Sequence, residues 1–188
     1  MLKSQNSHVH YYDDIEQGSP EWLAVRKNRI SGSTAHKLLG KGIPSLNSFN
    51  TEEKNFTGNF ATKRGHLLEP EAIELYEAIN DVRVLTTGYV LNDKYSNAIY
   101  SPDGYLEDRT IEVKCFLPKA HLETIKRPSL KILAQCHFGQ IILEKPLTDL
   151  ILYCPKDEVP LDDKFVVKTI PKQDKIHANM IARMERVR

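Results

Sequence analysis

Ser101-Pro102-Asp103-Gly104, continued by Thr110-Ile111-Glu112-Val113-Lys114-Cys115, is the stretch whose reading decides the fold. Pro-Asp-Gly is turn chemistry, and the second segment alternates apolar and polar residues as a strand does. On a strand successive side chains point to opposite faces. Glu112 and Lys114 therefore share one face, roughly 6.6 Å apart along the chain, while Ile111, Val113 and Cys115 turn into a core. Asp103 arrives beside them from the turn. Two carboxylates and an amine at a strand end are a donor set for a hard metal cation, a water and a phosphate, which is the chemistry of a nuclease.

Upstream, Val82–Leu85, Gly88–Leu91 and Ala98–Tyr100 are short β-rich runs separated by turn residues. The last is expected to run antiparallel to Thr110–Cys115 across the turn. Before them, residues 59–80 are helical in pattern, with Ala72, Ile73, Tyr76 and Ile79 recurring at the helical period. Pro70 lies inside that segment and would cost about 3 kcal/mol in a straight helix. One helix is therefore expected to end near Gly65-His66 and another to begin with Pro70 in its first turn, holding Glu69 at the junction. Nearer the N-terminus, Ser19-Pro20-Glu21 is a helix start that carries Trp22 and Val25 inward. Ser31-Gly32-Ser33 ends that helix, and Ser33 is expected to cap a short one, Thr34–Leu39. Residues 1–14 read as an extended lead-in and residues 41–58 as a long loop, a length that often carries function.

Downstream, Pro118–Lys126 reads as a helix, and Ser129 caps another running to about Glu144, with Gln135 and Gln140 embedded in apolar sequence. Strands follow at Thr148–Cys154 and Lys164–Ile170. Residues 171–188 close the chain as a helix with Ile176, Met180, Met184 and Val187 on one stripe. The expected architecture is one α/β domain over residues 1–188, a mixed sheet flanked by helices.

At 188 residues, 40% hydrophobic and 27% charged, the composition is that of a globular protein with a core of its own. A net charge of +1 neither supports nor excludes a nucleic-acid partner, because a basic channel balanced by acidic faces sums to the same value. Cys115, Cys136 and Cys154 form no Cys-x-x-Cys pair, which excludes a zinc ribbon or a four-cysteine cluster. Buried reduced thiols and a cytoplasmic compartment are expected. No run approaches the ~20 apolar residues of a membrane span, and no signal peptide precedes the helices.

Each member of the polar set has a chemical role and a plainer alternative. Asp103 and Glu112 supply the oxygen ligands that Mg²⁺ prefers, and the Val113 carbonyl between them can add a third. Lys114 can orient the attacking water and offset charge developing on phosphorus; as a general base it would need a pKa far below the usual ~10.4. Glu69 can complete the acidic cluster. The plainer readings are a turn aspartate, a solvent-facing Glu–Lys row and a helix-junction glutamate.

Pro-Asp, eight residues, then Glu-x-Lys matches the PD-(D/E)xK pattern. Further segments appear in order: Glu16-Gln17-Gly18, Trp22-x3-Arg26-x4-Ser31-Gly32-Ser33, Gly65-x3-Glu69-Pro70-x-Ala72-x3-Tyr76-Glu77, and Ala134-Gln135 in the late helix. Together, over roughly residues 15–155, they resemble the lambda exonuclease or YqaJ-type viral recombinase family within the PD-(D/E)xK nucleases.

That resemblance implies a restriction-endonuclease-like core. It implies Mg²⁺-dependent (with Mn²⁺ substituting) 5′→3′ digestion of duplex DNA from its ends, releasing mononucleotides and leaving a 3′ single strand for recombination. By position it assigns the metal to Asp103, Glu112 and the Val113 carbonyl, and places Lys114 beside the water. Arg26 matches an arginine that grips the terminal 5′-phosphate, Ser33 a nearby phosphate contact; a guanidinium fork and a helix N-terminus both suit an anion. Ser101, Gln135 and His137 are further candidate phosphate or DNA contacts, although His137 stands where the family tends to carry a second glutamine. A single-strand annealing protein is the expected partner, and toroidal homo-oligomers occur in this family. Two other classes stay open: a structure-specific or restriction-like endonuclease acting on DNA or RNA through the same site, and a catalytically silent DNA-end-binding protein.

Overall fold

Arg109–Lys114, the strand predicted to carry the polar set, is an inner strand of a four-stranded sheet in the computed structural model, which describes residues 8–50 and 60–187. In chain order the elements are β1 (Val9–Tyr12), α1 (Pro20–Arg26), β2 (Ile30–Ser31), a 3₁₀ helix (Gly32–Leu39), a 3₁₀ turn (Leu46–Phe49), α2 (Phe60–Asn80), β3 (Tyr89–Asn92), β4 (Ala98–Ile99) and β5 (Gly104–Tyr105). They continue with β6 (Arg109–Lys114), α3 (Pro118–Lys126), α4 (Leu130–Leu143), β7 (Leu147–Tyr153), β8 (Phe165–Pro171) and α5 (Asp174–Met184).

The sheet order is β5-β6-β7-β8. β6 and β7 are parallel, with Glu112 opposite Leu150 and Lys114 opposite Leu152, while β5–β6 and β7–β8 are antiparallel. A parallel pair needs a crossover long enough to return to the same edge, and α3 with α4 supplies it. β7 is buried from Thr148 to Tyr153 and apolar from Leu150 onward, as suits a strand covered on both faces. Ile111, Val113 and Cys115 pack with Ala72 and Tyr76 of α2 on one face, as alternation predicts. On the other face Leu150 and Leu152 meet Ile132 and Cys136 of α4. Glu112 points to that second face, wholly buried. The strand that reads as half-solvated is covered on both sides.

Several expectations are corrected. α2 runs unbroken from Phe60 to Asn80 with Pro70 inside. The missing N–H of Pro70 forfeits one backbone bond, but Ala72 and Tyr76 are buried beyond it, and burying that face outweighs the local loss. Glu69 thus sits on a continuous helix rather than at a junction. Ala98–Ile99 pairs in parallel with β2, not with β6, and β6 takes β5 as its hairpin partner. The run 82–85 forms no strand; Leu85 makes one isolated bridge to Tyr105, and Val84 N–H donates instead to Glu77 Oε1 at 2.6 Å. The helix after β2 is 3₁₀ and starts at Gly32, two residues earlier than expected. Its cap is Ser31, whose N–H donates to Thr34 Oγ1, and Ser33 lies inside its first turn.

The lead-in is partly a strand, since Val9–Tyr12 pairs with β3; residues 1–7 lie outside the described residues. Within the expected loop, Phe49 is buried in the core, and residues 51–58 lie outside the described residues. The closing helix starts only at Asp174 because β8 continues to Pro171. The three cysteines are free and buried, as expected. No described helix is long and apolar enough to cross a membrane.

Candidate active site

Asp103 is set by the strand it precedes. Its Oδ2 accepts the Val113 backbone N–H at 2.7 Å, so the turn is folded back onto β6 one residue from Glu112. Gln17 braces the turn from the far side, donating to the Pro102 and Thr87 carbonyls. Glu112 accepts two charged or polar donors, the Lys114 ammonium on Oε1 and the Tyr100 hydroxyl on Oε2 at 2.8 Å. The Glu–Lys pair expected from the strand period is therefore present, with Glu112 fully buried and the Lys114 side chain 21% exposed.

The electrostatics follow from this crowding. Burial, then the charges of Glu112 and Glu69, push the Asp103 carboxyl well above the usual carboxylate range. Burial also raises Glu69, with the nearby His66 opposing and Glu112 adding to the shift. Burial alone would lower Lys114, but Glu112 and Asp103 outweigh it and hold the ammonium above the ordinary lysine value. Lys114 beside these carboxylates is a cation, suited to holding a water or a phosphate oxygen.

These groups open onto one cleft of about 510 Å³ at the end of β6, lined by Glu69, Asp103, Glu112, Val113, Lys114 and Gln135 among others. Gln135 reaches it from α4, as expected. Arg64 closes its wall, donating to the Cys115 and Phe116 carbonyls at 2.9 Å each. A second cleft of about 550 Å³, beside α5, contains none of the predicted site residues.

Arg26 and Ser101 are joined through Trp22. The Arg26 guanidinium lies 4.1 Å from the centre of the Trp22 ring, and the indole N–H donates to Ser101 Oγ at 2.9 Å and to the Gly88 carbonyl at 3.1 Å. Burial lowers the Arg26 pKa to about 10, so the guanidinium stays charged at neutral pH. Among the described residues it makes no ion pair with a carboxylate. Ser33 is exposed, two residues from Ser31 and with its hydroxyl 3.2 Å from that of Ser31.

His137 does not reach the cleft. Two positions past Gln135 on a helix is the opposite side, and His137 is 1% exposed. Its Nδ1 is 3.1 Å from Gln140 Oε1, and His177 Nε2 is 2.9 Å from the same oxygen. The Gln140 amide donates to the Ile170 carbonyl at 2.8 Å, which turns its oxygen toward the two rings. Both histidines are therefore donors in an internal network that ties α4 to α5 and β8.

Among the described residues no three His, Cys, Asp or Glu side chains group closely enough to hold a metal by themselves. The chemistry nevertheless fits a cation supported partly by backbone. In a single cleft Glu112 and Glu69 add to the burial that raises the proton affinity of Asp103, and Glu112 adds to that of Glu69, a crowding of carboxylates that a divalent oxygen-loving ion relieves.

Sequence reasoning missed Tyr100, Gln17 and the structural role of Arg64. Tyr100 reads as one more β-strand aromatic. The available signal was Gly139, an isolated glycine in a strongly apolar helix, which usually marks a close approach.

A sequence model of the YqaJ-like viral recombinase domain matches residues 21–141, well over half of the chain. The protein belongs to this family. No curated protein matches the YqaJ-like chain. Among solved structures it is similar to an alkaline exonuclease from Laribacter hongkongensis, with a TM-score of 0.74 and 22% identity over 89% of this chain and 90% of that one. The same exonuclease in complex with dAMP superposes equally well. A phage-related exonuclease from Haemophilus somnus 129PT follows, with a TM-score of 0.61 and 15% identity over 87% and 93% of the two chains. The YqaJ-like chain thus has the mixed-sheet, helix-flanked PD-(D/E)xK fold of these exonucleases.

Proposed function

We propose that this protein is a divalent-metal-dependent deoxyribonuclease that digests duplex DNA from its 5′ ends, releasing mononucleotides and leaving 3′ single strands. The observation that carries this reading is the cleft that gathers Asp103, Glu112, Glu69 and Lys114 at the end of β6, in a chain of the YqaJ-like viral recombinase family. In its mechanism Asp103, Glu112 and the Val113 carbonyl would hold Mg²⁺, or Mn²⁺ in its place, and Glu69 would add negative charge at the cleft rim. The ion, when bound, polarises the scissile phosphate and acidifies the attacking water. Lys114 orients that water and offsets charge on the phosphoryl oxygens. Gln135 and Ser101 position the phosphate, and Arg26 with Ser33 grips the terminal 5′-phosphate, the guanidinium held flat by the Trp22 ring.

The solved relatives are named as exonucleases, which supports end-directed cutting over the endonuclease reading. A cytoplasmic enzyme working beside a single-strand annealing protein, and assembling with copies of itself, suits that role. Digestion of 5′-phosphorylated linear duplex with Mg²⁺ tests the activity. Loss of digestion in Asp103→Ala supports the assignment, and intact duplex with the wild-type protein overturns it. A nicked or linearised circle would instead indicate an endonuclease.

A further inference from the structure

Tyr100 has no role in the chemistry above, yet the fold spends two glycines on it. Its side chain is wholly buried. A Cβ at Gly32 would fall 2.7 Å from Tyr100 Cε2, and one at Gly139 would fall 2.7 Å from Cζ and 2.8 Å from the hydroxyl oxygen. Any side chain at either position collides with the ring. Gly139 lies in the interior of α4, where glycine costs about 1 kcal/mol relative to alanine. The two glycines form a slot between α4 and the 3₁₀ helix, and the backbone of Tyr100 is fixed at its entrance by paired hydrogen bonds with Val90 at 2.7 and 3.1 Å. At the end of the slot the hydroxyl donates to Glu112 Oε2.

From this slot we infer that Tyr100 is a positioning residue for the cutting centre. It holds Glu112 by Oε2 so that Oε1, beside Lys114, is the oxygen offered to a divalent cation. The inference rests on the reading of Glu112 as a metal ligand. Partners that fix a ligating carboxylate contribute about 10–100-fold to metal affinity.

The test is Mn²⁺ binding to the full-length protein by titration calorimetry, together with the Mg²⁺ dependence of digestion. Tyr100→Phe keeps the ring in its slot and removes only the hydroxyl. It is expected to weaken Mn²⁺ binding about 10-fold and to raise the half-saturating Mg²⁺ concentration similarly, with KM for DNA unchanged. Gly139→Ala, which presses on the hydroxyl-bearing end of the ring, should shift both readouts in the same direction. Wild-type Mn²⁺ affinity in Tyr100→Phe, alongside weakened binding in Glu112→Gln, overturns the inference while leaving the site assignment intact. A lower melting temperature with unchanged metal dependence also overturns it, since that marks packing alone. Equal Mn²⁺ binding by wild type and Glu112→Gln overturns the assignment of Glu112, and the role of Tyr100 with it.

Discussion

The Val113 backbone N–H donates to Asp103 Oδ2 at 2.7 Å, which makes the turn and the strand one rigid unit. The hydrogen bond orients one carboxylate using a group that β6 supplies at no side-chain cost. It also brings that carboxylate near Glu112, and the repulsion between them, which raises the proton affinity of Asp103, is relieved by a proton or by a bound cation.

Asp103→Asn keeps an oxygen able to accept the Val113 N–H and removes the repulsion. As the proposed metal ligand, Asp103 is expected to supply several kcal/mol of transition-state stabilisation, so the rate should fall on the order of 1,000-fold. The melting temperature is expected to stay level or rise, because strained functional groups trade stability for activity. Calorimetry beside a digestion assay checks both; a strongly destabilised Asp103→Asn would contradict the account.

Lys114 and Glu112 form a pair with the carboxylate buried. Lys114→Ala leaves that charge uncompensated and should cost about 3 kcal/mol of stability. Glu112→Gln with Lys114→Ala should recover most of the loss, and neither variant should digest DNA. Denaturant unfolding of both single variants and the double variant gives the coupling energy directly.

Arg26 stacks on Trp22, and its proposed role is to grip the terminal 5′-phosphate. Arg26→Ala should shrink the preference for 5′-phosphate over 5′-hydroxyl ends by about 10-fold, the value of one charge-assisted contact near 1.5 kcal/mol. Arg26→Lys keeps charge but not the planar fork and should recover only part. An unchanged end preference removes Arg26 from this role.

His177 contributes to the loss of stability on the acid side. Burial, with the nearby His137 and Lys172, lowers its pKa to about 4. The unfolded chain, with an ordinary value near 6.5, binds the proton first. The stabilisation is therefore complete above about pH 6.5 and is lost progressively as pH falls toward 4. His177→Gln should flatten the dependence of melting temperature on pH across that window.

The parts of the site that lie on one strand were legible from its period: Glu112 and Lys114 on one face, Ile111 and Val113 on the other. Alternation is local physics and survives any tertiary context. The partners of that strand were not legible. Whether β6 pairs with β4 or β5, and whether α2 bends at Pro70, depends on which distant surfaces bury together, as Ala72 and Tyr76 do against Ile111 and Ile151. His137 was a candidate only through the family pattern of two late-helix glutamines, and the helix turns it away from the cleft that Gln135 lines. Tyr100 stayed hidden because its meaning lies in three separated residues, Gly32, Glu112 and Gly139, that only the fold assembles.

The proposed cutting centre built on Asp103 is end-dependent and metal-dependent. Labelled linear and circular duplexes, incubated with wild-type protein or Asp103→Ala and with Mg²⁺ or EDTA, test it most directly. Mononucleotides are expected from 5′-phosphorylated linear duplex with wild type and Mg²⁺, with circles left intact and no digestion in EDTA or with Asp103→Ala. Linear duplex left whole by the wild type, or digested equally by Asp103→Ala, would contradict it.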